Sequence, residues 1–274
     1  VIELPEVLTL ARQMNGELKG RKIASANRGN SPHKFAFYNL PAETFEEIPV
    51  GKTVGEVTGD GMWIFMRVVP GTMLLTGSMG GRILFHHTEE TLPKKHHLML
   101  RFEDQTCLTI TIQMWGFLHL VEENEADAYR NQGTSPLSKA FTYGRFREVL
   151  DEAAADEKIC IKKLLISGPG VSGIGNGYLQ DILFRAGIHP TRKVVDITGK
   201  ERQKLYRAIR RTMKEATALG GRDEERDLYN RPGGYCRMLN SKANGKPCPQ
   251  CGTPIEKIQY LGGASYFCPR CQIY

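Results

Sequence analysis

No apolar run in this 274-residue chain is long enough to cross a bilayer, and no basic-then-apolar leader opens it. A membrane-spanning or exported protein is therefore not expected. Internal repeats and low-complexity tracts are absent too, which excludes a solenoid or a largely disordered chain. Acidic residues are scarce toward the C-terminus: residues 190–274 carry 17 Lys+Arg and 8 Asp+Glu. That segment nets +9 while the whole chain nets +7, so residues 1–189 sum to −2. Such an asymmetry suits a polyanionic partner, most simply nucleic acid, with a merely solvated basic surface as the alternative. The remaining composition, 41% hydrophobic and 24% charged, is that of a globular protein, and the length suits two domains plus a small module.

Cysteine usage is uneven. Four of the seven cysteines fall in the last fifth of the chain as Cys248-x2-Cys251 and Cys268-x2-Cys271. Each CxxC pair forms a tight knuckle, and two knuckles at this separation can share one tetrahedral ion. The residues between them are short and β-prone, so a zinc ribbon with one structural Zn2+ is expected; an iron site of the same ligand geometry is the alternative. A segment this small buries too little apolar surface to fold without the ion. Cys107, Cys160 and Cys236 remain, odd in number and irregular in spacing, which points to reduced thiols and a cytoplasmic setting.

Residues 3–19 read as a helix with Pro5 in its first turn, Gly20 as its stop, and Val7, Ala11, Met14 and Leu18 as one apolar stripe. From 21 to 121 the pattern changes to short β-branched and aromatic runs: 53–58, 63–69, 82–86, 97–102, 107–111 and 117–121, separated by Gly, Pro and acidic turns. A β-sandwich or barrel follows. Residues 124–230 read as mostly helical, with helices at 125–131, 145–154, 159–167, 178–186 and 199–219; residues 220–247 read as a polar linker. The expected class is α+β multidomain: a β-sandwich with its leading helix (1–122), a helical domain (123–235) and a zinc finger (236–274).

Between two of those helices lies Val171-Ser-Gly-Ile-Gly-Asn-Gly-Tyr178. Gly173 and Gly175 let the backbone turn sharply, so that successive N–H groups face one anion; Asn176 adds an amide, and the next helix offers its positive end. A phosphate nest is the functional reading, and a glycine-rich helix connection is the plain one.

Taken together, several motifs resemble the formamidopyrimidine-DNA glycosylase/endonuclease VIII family. They are Glu3-Leu-Pro-Glu6 near the start, Gly133-Thr-Ser-Pro-Leu-Ser138, Ile161-Lys-x-x-Leu-Leu, the Gly-Ile-Gly-Asn turn, Ala186-Gly-Ile-His-Pro190, and Pro247-Cys-x-x-Cys-Gly through Cys268-Pro-Arg-Cys-Gln272. They occur in family order over nearly the whole chain. The resemblance implies a β-sandwich, a helix–two-turn–helix domain and a zinc finger. It also implies base excision repair, in which a flipped-out base is removed and the strand nicked by β-elimination through an imine on the N-terminal amine. Carried over position by position, Glu3 is the catalytic carboxylate and Glu6 the second acid. Ile2 stands where the nucleophilic proline belongs, and a valine start codon read as Met would leave a primary amine one residue further out. Gly173, Gly175, Asn176 and Lys162 are the expected DNA-binding residues. Other positions depart: Gly263 where the finger has an arginine, Met62 roughly where the sandwich has a lysine, and Thr111-Ile-Gln-Met-Trp-Gly116 where the family has Asp-x-Arg-x-Phe-Gly. Met114 and Trp115 there are either replacement wedges or ordinary strand packing. The expectation is a monomeric glycosylase and lyase acting on damaged or abasic double-stranded DNA, gripped between sandwich and helical domain, with no membrane partner. The alternatives are a catalytically impaired binder of damaged DNA, and an enzyme turned to single strands or RNA.

Overall fold

The computed structural model of the chain describes residues 2–31, 33–130 and 133–274, and of Ser78 and Met79 the backbone alone. It forms two compact units. One comprises Val1–Asn131 with Leu219–Gly234, the other Gln132–Ala218 with Tyr235–Tyr274.

In the first unit, helix α1 (Leu4–Leu18) runs into a two-sheet sandwich. One sheet orders β1 (Ile23–Asn27), β7 (Leu98–Phe102), β8 (Cys107–Thr111) and β6 (Arg82–His86). The other orders β2 (Ala36–Tyr38), β9 (Trp115–Glu122), β5 (Thr72–Met79), β4 (Trp63–Val69) and β3 (Thr53–Asp60). Period-two alternation sorts each strand. In β9, Gly116, Leu118 and Leu120 are buried while Phe117, His119 and Val121 face the other side, half-buried. The inward set joins Ile64, Met66, Val68 and Leu74 of its own sheet, Ile83, Leu100, Phe102, Leu108 and Ile110 of the other, and the α1 stripe of Val7, Ala11, Met14 and Leu18. Each such side chain contributes roughly 1.5–3 kcal/mol when fully buried, which makes this the dominant core of the unit.

Parts of this unit differ from the sequence reading. Strand β5 sits at the centre of its sheet, antiparallel to both β4 and β9, although its Thr76-Gly-Ser-Met-Gly stretch carries turn-like residues. The segment Glu123–Tyr129, read as part of a helix at 125–131, is a 3-10 stretch begun by a Glu122–Glu125 capping box; Asn131 lies outside the described residues. A short helix, α2 (Ala42–Glu47), sits ahead of β3 with Phe45 buried edge-on to Tyr38.

The second unit holds α3 (Tyr143–Ala154), α4 (Ile161–Ser167), α5 (Asn176–Ala186), α6 (Gly199–Ala218) and the hairpin β10 (Glu256–Tyr260)–β11 (Gly263–Phe267). Thr142 caps α3 by accepting from the Arg145 amide at 3.2 Å. Leu205, Ile209 and Met213 line the buried face of α6, as their spacing predicts.

Residues 220–247 are not a loose linker. Leu219–Gly234 returns to the first unit: the Phe85 amide donates to the Leu228 carbonyl, Gln13 bonds both Asp227 and the Leu228 amide, and the Tyr229 hydroxyl donates to Glu17. Beyond it, buried Asp181 of α5 accepts from the Tyr235 hydroxyl and from the amides of Met238 and Leu239 at 2.9–3.0 Å. One carboxylate with three donors thus fixes the entry to the finger; burial pushes its own pKa up, and burial beside Asp181 pushes that of Tyr235 up.

Candidate active site and metal centre

Helix α1 begins with a capping box: the Glu3 amide donates to Glu6 Oε2 at 2.9 Å, so the two acidic residues share the first turn. Both are fully or almost fully buried, Glu3 at 0% exposure and Glu6 at 2%. Two bare carboxylates there would be prohibitive, and Arg222, itself buried, answers them. Its Nη1 donates to Glu3 Oε1 at 2.8 Å, its backbone amide donates to Glu6 Oε1 at 2.9 Å, and Nη2 reaches Glu225 at 3.3 Å. The chain reaches this position through Gly221, whose φ is +95°. A Cβ there would lie 2.8 Å from Glu6 Oε1, so only glycine permits the approach. Arg222 was not legible as a site residue; the Gly220-Gly221 pair before it was the one local signal.

Ile2 is 5% exposed and belongs to the sandwich core. It acts there as a hydrophobic anchor preceding the capping box. Val1, which carries the amine, lies outside the described residues.

In the second unit, Gly173 has φ +77° and Gly175 is the N-cap of α5, so the turn expected between α4 and α5 is formed. Asn176 opens the helix. Its Nδ2 donates to the Ala264 carbonyl at 2.9 Å, and its Oδ1 is buried without a partner. One of the two N–H donors of the amide is therefore committed to the hairpin, which leaves the second for another acceptor. Lys162 takes a different post from the DNA contact expected of it. It is buried, and Nζ donates to the Tyr260 carbonyl at 2.6 Å, the Gly263 carbonyl at 3.3 Å and Ser265 Oγ at 2.9 Å. All three ammonium protons brace the hairpin, and burial pulls its pKa down. Gln180 adds a further brace, accepting from the Tyr266 amide.

The four finger cysteines converge. Their sulfur atoms all lie within 4.8 Å of one another, with Cys248–Cys271 at 3.8 Å and Cys251–Cys268 at 3.5 Å. Four sulfurs tetrahedrally placed about a zinc at ~2.3 Å are ~3.8 Å apart, so the set fits the ion. The amides of Gln250 and Cys271 point at Cys248 and Cys268 sulfurs respectively, as knuckles require. Ile255, Phe184 and Leu239 pack beside them, so the small module has an apolar floor as well as its clip.

Three family models match the chain in order. The formamidopyrimidine-DNA glycosylase N-terminal domain covers residues 1–114, the formamidopyrimidine-DNA glycosylase H2TH domain 132–226, and the zinc finger found in FPG and IleRS 245–273. The formamidopyrimidine-DNA glycosylase of Listeria innocua is 30% identical over 278 residues, covering 98% of this chain and 99% of its own. That of Gluconobacter oxydans is 31% identical at the same coverage. The chain belongs to the formamidopyrimidine-DNA glycosylase family. Among solved structures, MutM in complex with DNA containing carbocyclic 8-oxo-G matches with a TM-score of 0.85 and 26% identity, covering 98% of this chain and 99% of that one. The Lactococcus lactis Fpg bound to DNA containing an abasic site matches at a TM-score of 0.83 and 26% identity, with the same coverage.

Within the family frame, two departures acquire a structural setting. Met62 sits in the tight turn between β3 and β4. Gly263 opens β11 opposite Tyr260, and a Cβ there would stand 3.2 Å from Asn176 Nδ2. A side chain at that position would press on the amide that now holds the hairpin. The fold class expected from sequence is the one observed: an N-terminal β-sandwich, a helical H2TH domain and a four-cysteine finger able to hold one structural zinc.

Proposed function

We propose that this chain is a base-excision repair enzyme, a DNA glycosylase and AP lyase that acts as a monomer on damaged or abasic duplex DNA. The observation that carries the reading is relatedness to formamidopyrimidine-DNA glycosylases across 98% of the chain, not in one motif. The amine at the start of the chain attacks the sugar carbon that bears the base. The glycosidic bond breaks and its electrons leave with the base, which takes up the proton that the Glu3 carboxylate accepts from the attacking amine; the C1′–O4′ bond then opens, O4′ taking a proton relayed from solvent through Glu3, and the amine nitrogen becomes doubly bonded to C1′. The resulting imine acidifies the neighbouring C2′ proton; its loss expels the 3′ phosphate, and water then frees the amine. An α-amine with a pKa near ~8 is partly neutral at pH 7 and so is competent to attack. Arg222 holds Glu3 in place and balances its charge. Gly173 and Gly175 present backbone N–H groups to a phosphate, and Asn176 and Lys162 act one step back by holding the finger hairpin. Zinc, when bound by Cys248, Cys251, Cys268 and Cys271, supplies a structural crosslink.

A second reading, a damage-binding protein without turnover, is favoured by one observation: Ile2 is packed in the core where the family places its nucleophile. Borohydride trapping on abasic duplex separates the two. The enzyme reading expects a covalent adduct whose N-terminal peptide carries the sugar remnant by intact mass. Tight binding with no adduct at any pH leaves only the binder.

A further inference from the structure

Helix α6 carries seven cations and two acids, and its two faces use them differently. Arg202 and Arg210 are committed inward: Arg202 pairs with Asp151 of α3, and Arg210 Nη1 donates to the Phe141 carbonyl at 3.1 Å. The other five, Lys200, Lys204, Arg207, Arg211 and Lys214, are all exposed. They follow one another at alternating i,i+4 and i,i+3 steps, which at ~100° per residue keeps them within ~80° of arc. Leu205, Ile209, Met213 and Ala216 lie on the opposite side, buried. The cations therefore form one straight row ~21 Å long that points away from the core of the unit. Both acids of the helix are used at the margins of the row. Glu201 accepts from Arg192 at 2.7 Å, and Glu215 is shared by Arg185 and Arg211, each at 2.7 Å. Among the described residues the ion pairs of α6 stop there, and none reaches Lys200, Lys204, Arg207 or Lys214.

Helix stability does not favour such a row. Each successive pair in it is a like-charge pair at i,i+3 or i,i+4, which weakens a helix, and Lys200 sits at the positive end of α6. A face that only has to be solvated mixes signs, as α3 does with Arg145, Arg147, Glu148, Asp151 and Glu152 exposed. The row also lacks the apolar anchor that the centre of a protein interface needs, since no large apolar side chain of α6 is exposed. A uniform line of cations without an anchor fits a polyanion of regular spacing. One strand of duplex DNA offers a phosphate every ~3.4 Å of axis, so about six lie along ~21 Å. The row is separate from the glycine turn ahead of α5. Its edge at Lys204 reaches the far end of that helix, where Nζ stands 3.2 Å from the position a Cβ of Gly187 would take. The 11 residues of α5 put ~16 Å between the turn and that end.

We propose that the outward row of α6 is a second DNA-binding surface. It holds the backbone of a paired duplex other than the one that carries the lesion, so that the protein passes directly from one DNA segment to another. The proposal rests on the nucleic-acid reading above and extends it from one duplex to two. Full-length, zinc-loaded protein is mixed with a short duplex holding a reduced abasic site and a short undamaged duplex, each with its own dye, and the complexes are sized by sedimentation. A complex of one chain with both duplexes is expected at low salt. Affinity for the second duplex falls with salt at a log–log slope of roughly −4, as for four to five neutralised phosphates. The abasic duplex also dissociates faster in proportion to the undamaged competitor, which is the kinetic mark of direct transfer. The triple variant Lys200→Gln/Arg207→Gln/Lys214→Gln, at exposed positions, keeps or raises the melting temperature and keeps its affinity for the abasic duplex. Its affinity for the second duplex drops at least ~10-fold, the salt slope shrinks by about 3, and its dissociation rate no longer follows competitor. A complex with the abasic duplex that admits no second duplex overturns the row, as does a triple variant that binds the second duplex like the wild type. Tighter binding of polyglutamate than of the undamaged duplex overturns it too, and assigns the row to an acidic protein. Failure to bind either duplex removes the nucleic-acid reading itself and the row with it.

Discussion

The finger and the first turn of α1 differ in how much of a chemical set each retains. The finger keeps all four ligands, and its sulfurs stand at zinc spacing. At the chain's start the acids Glu3 and Glu6 remain, but the position between them and Val1 is a core isoleucine. A metal clip tolerates no partial loss, because removing one thiolate removes the fold it supports. The first turn of α1 can lose one member of such a set and keep its scaffold, because the Glu3–Glu6–Arg222 cluster is a structural joint. The cluster ties α1 to the Leu219–Gly234 return, so those residues have a reason to stay whatever the chemistry.

Replacing Cys268 by Ser breaks the finger side of the comparison and has the largest expected effect. Bound zinc falls from about one per chain to near none, the module unfolds, and DNA binding is abolished; metal content and limited proteolysis read it. Retained DNA binding with no zinc would mean the finger is dispensable. Arg222→Met breaks the other side. It leaves two buried carboxylates without their cation and costs about 3–5 kcal/mol, seen as a lower urea midpoint. Adding Glu3→Gln recovers part of that loss if the pair is coupled as its geometry indicates; strict additivity of the two effects would refute the coupling.

Lys162→Met tests whether the finger hairpin is braced from α4. It removes donors from the Tyr260 and Gly263 carbonyls and from Ser265. A loss of about 1–3 kcal/mol is expected, with faster amide exchange in β10 and β11 and zinc retained. Unchanged exchange there would show that the zinc alone holds the hairpin. The smallest effect is that of pH. Burial holds His86, His96, His97, His119 and His189 below their ordinary value of 6.5. The unfolded chain therefore binds protons that the folded chain refuses as pH falls below about 6.5, and stability declines with it. Four of these histidines lie in the first unit and only His189 in the second. Hydrogen exchange at pH 5.5 against 7.5 should accordingly weaken the sandwich more than the helical unit; equal weakening would contradict the assignment.

Much of this was legible in the sequence because it depends on local spacing. The CxxC pairs, the α1 stripe and the Gly-Ile-Gly-Asn turn each declare themselves within a few residues. What was hidden depends on distant partners. Arg222 reads as one basic residue in a polar stretch until the fold brings it to Glu3. Lys162 reads as a cation before a DNA-binding turn, yet its ammonium is consumed by hairpin carbonyls about a hundred residues away in sequence. Strand β5 was masked by Gly77, which signals a turn in isolation and in the sheet makes room for the Phe117 ring. Phe37, Phe117 and Trp63 likewise become neighbours only through strand register.

The most direct measurement follows an end-labelled abasic duplex on a denaturing gel, with wild-type protein beside Glu3→Gln. The account predicts a β-elimination product from the wild type and a loss of on the order of a hundredfold or more in Glu3→Gln, with DNA binding kept. An intact strand with the wild type, or equal cleavage by the two proteins, would contradict it.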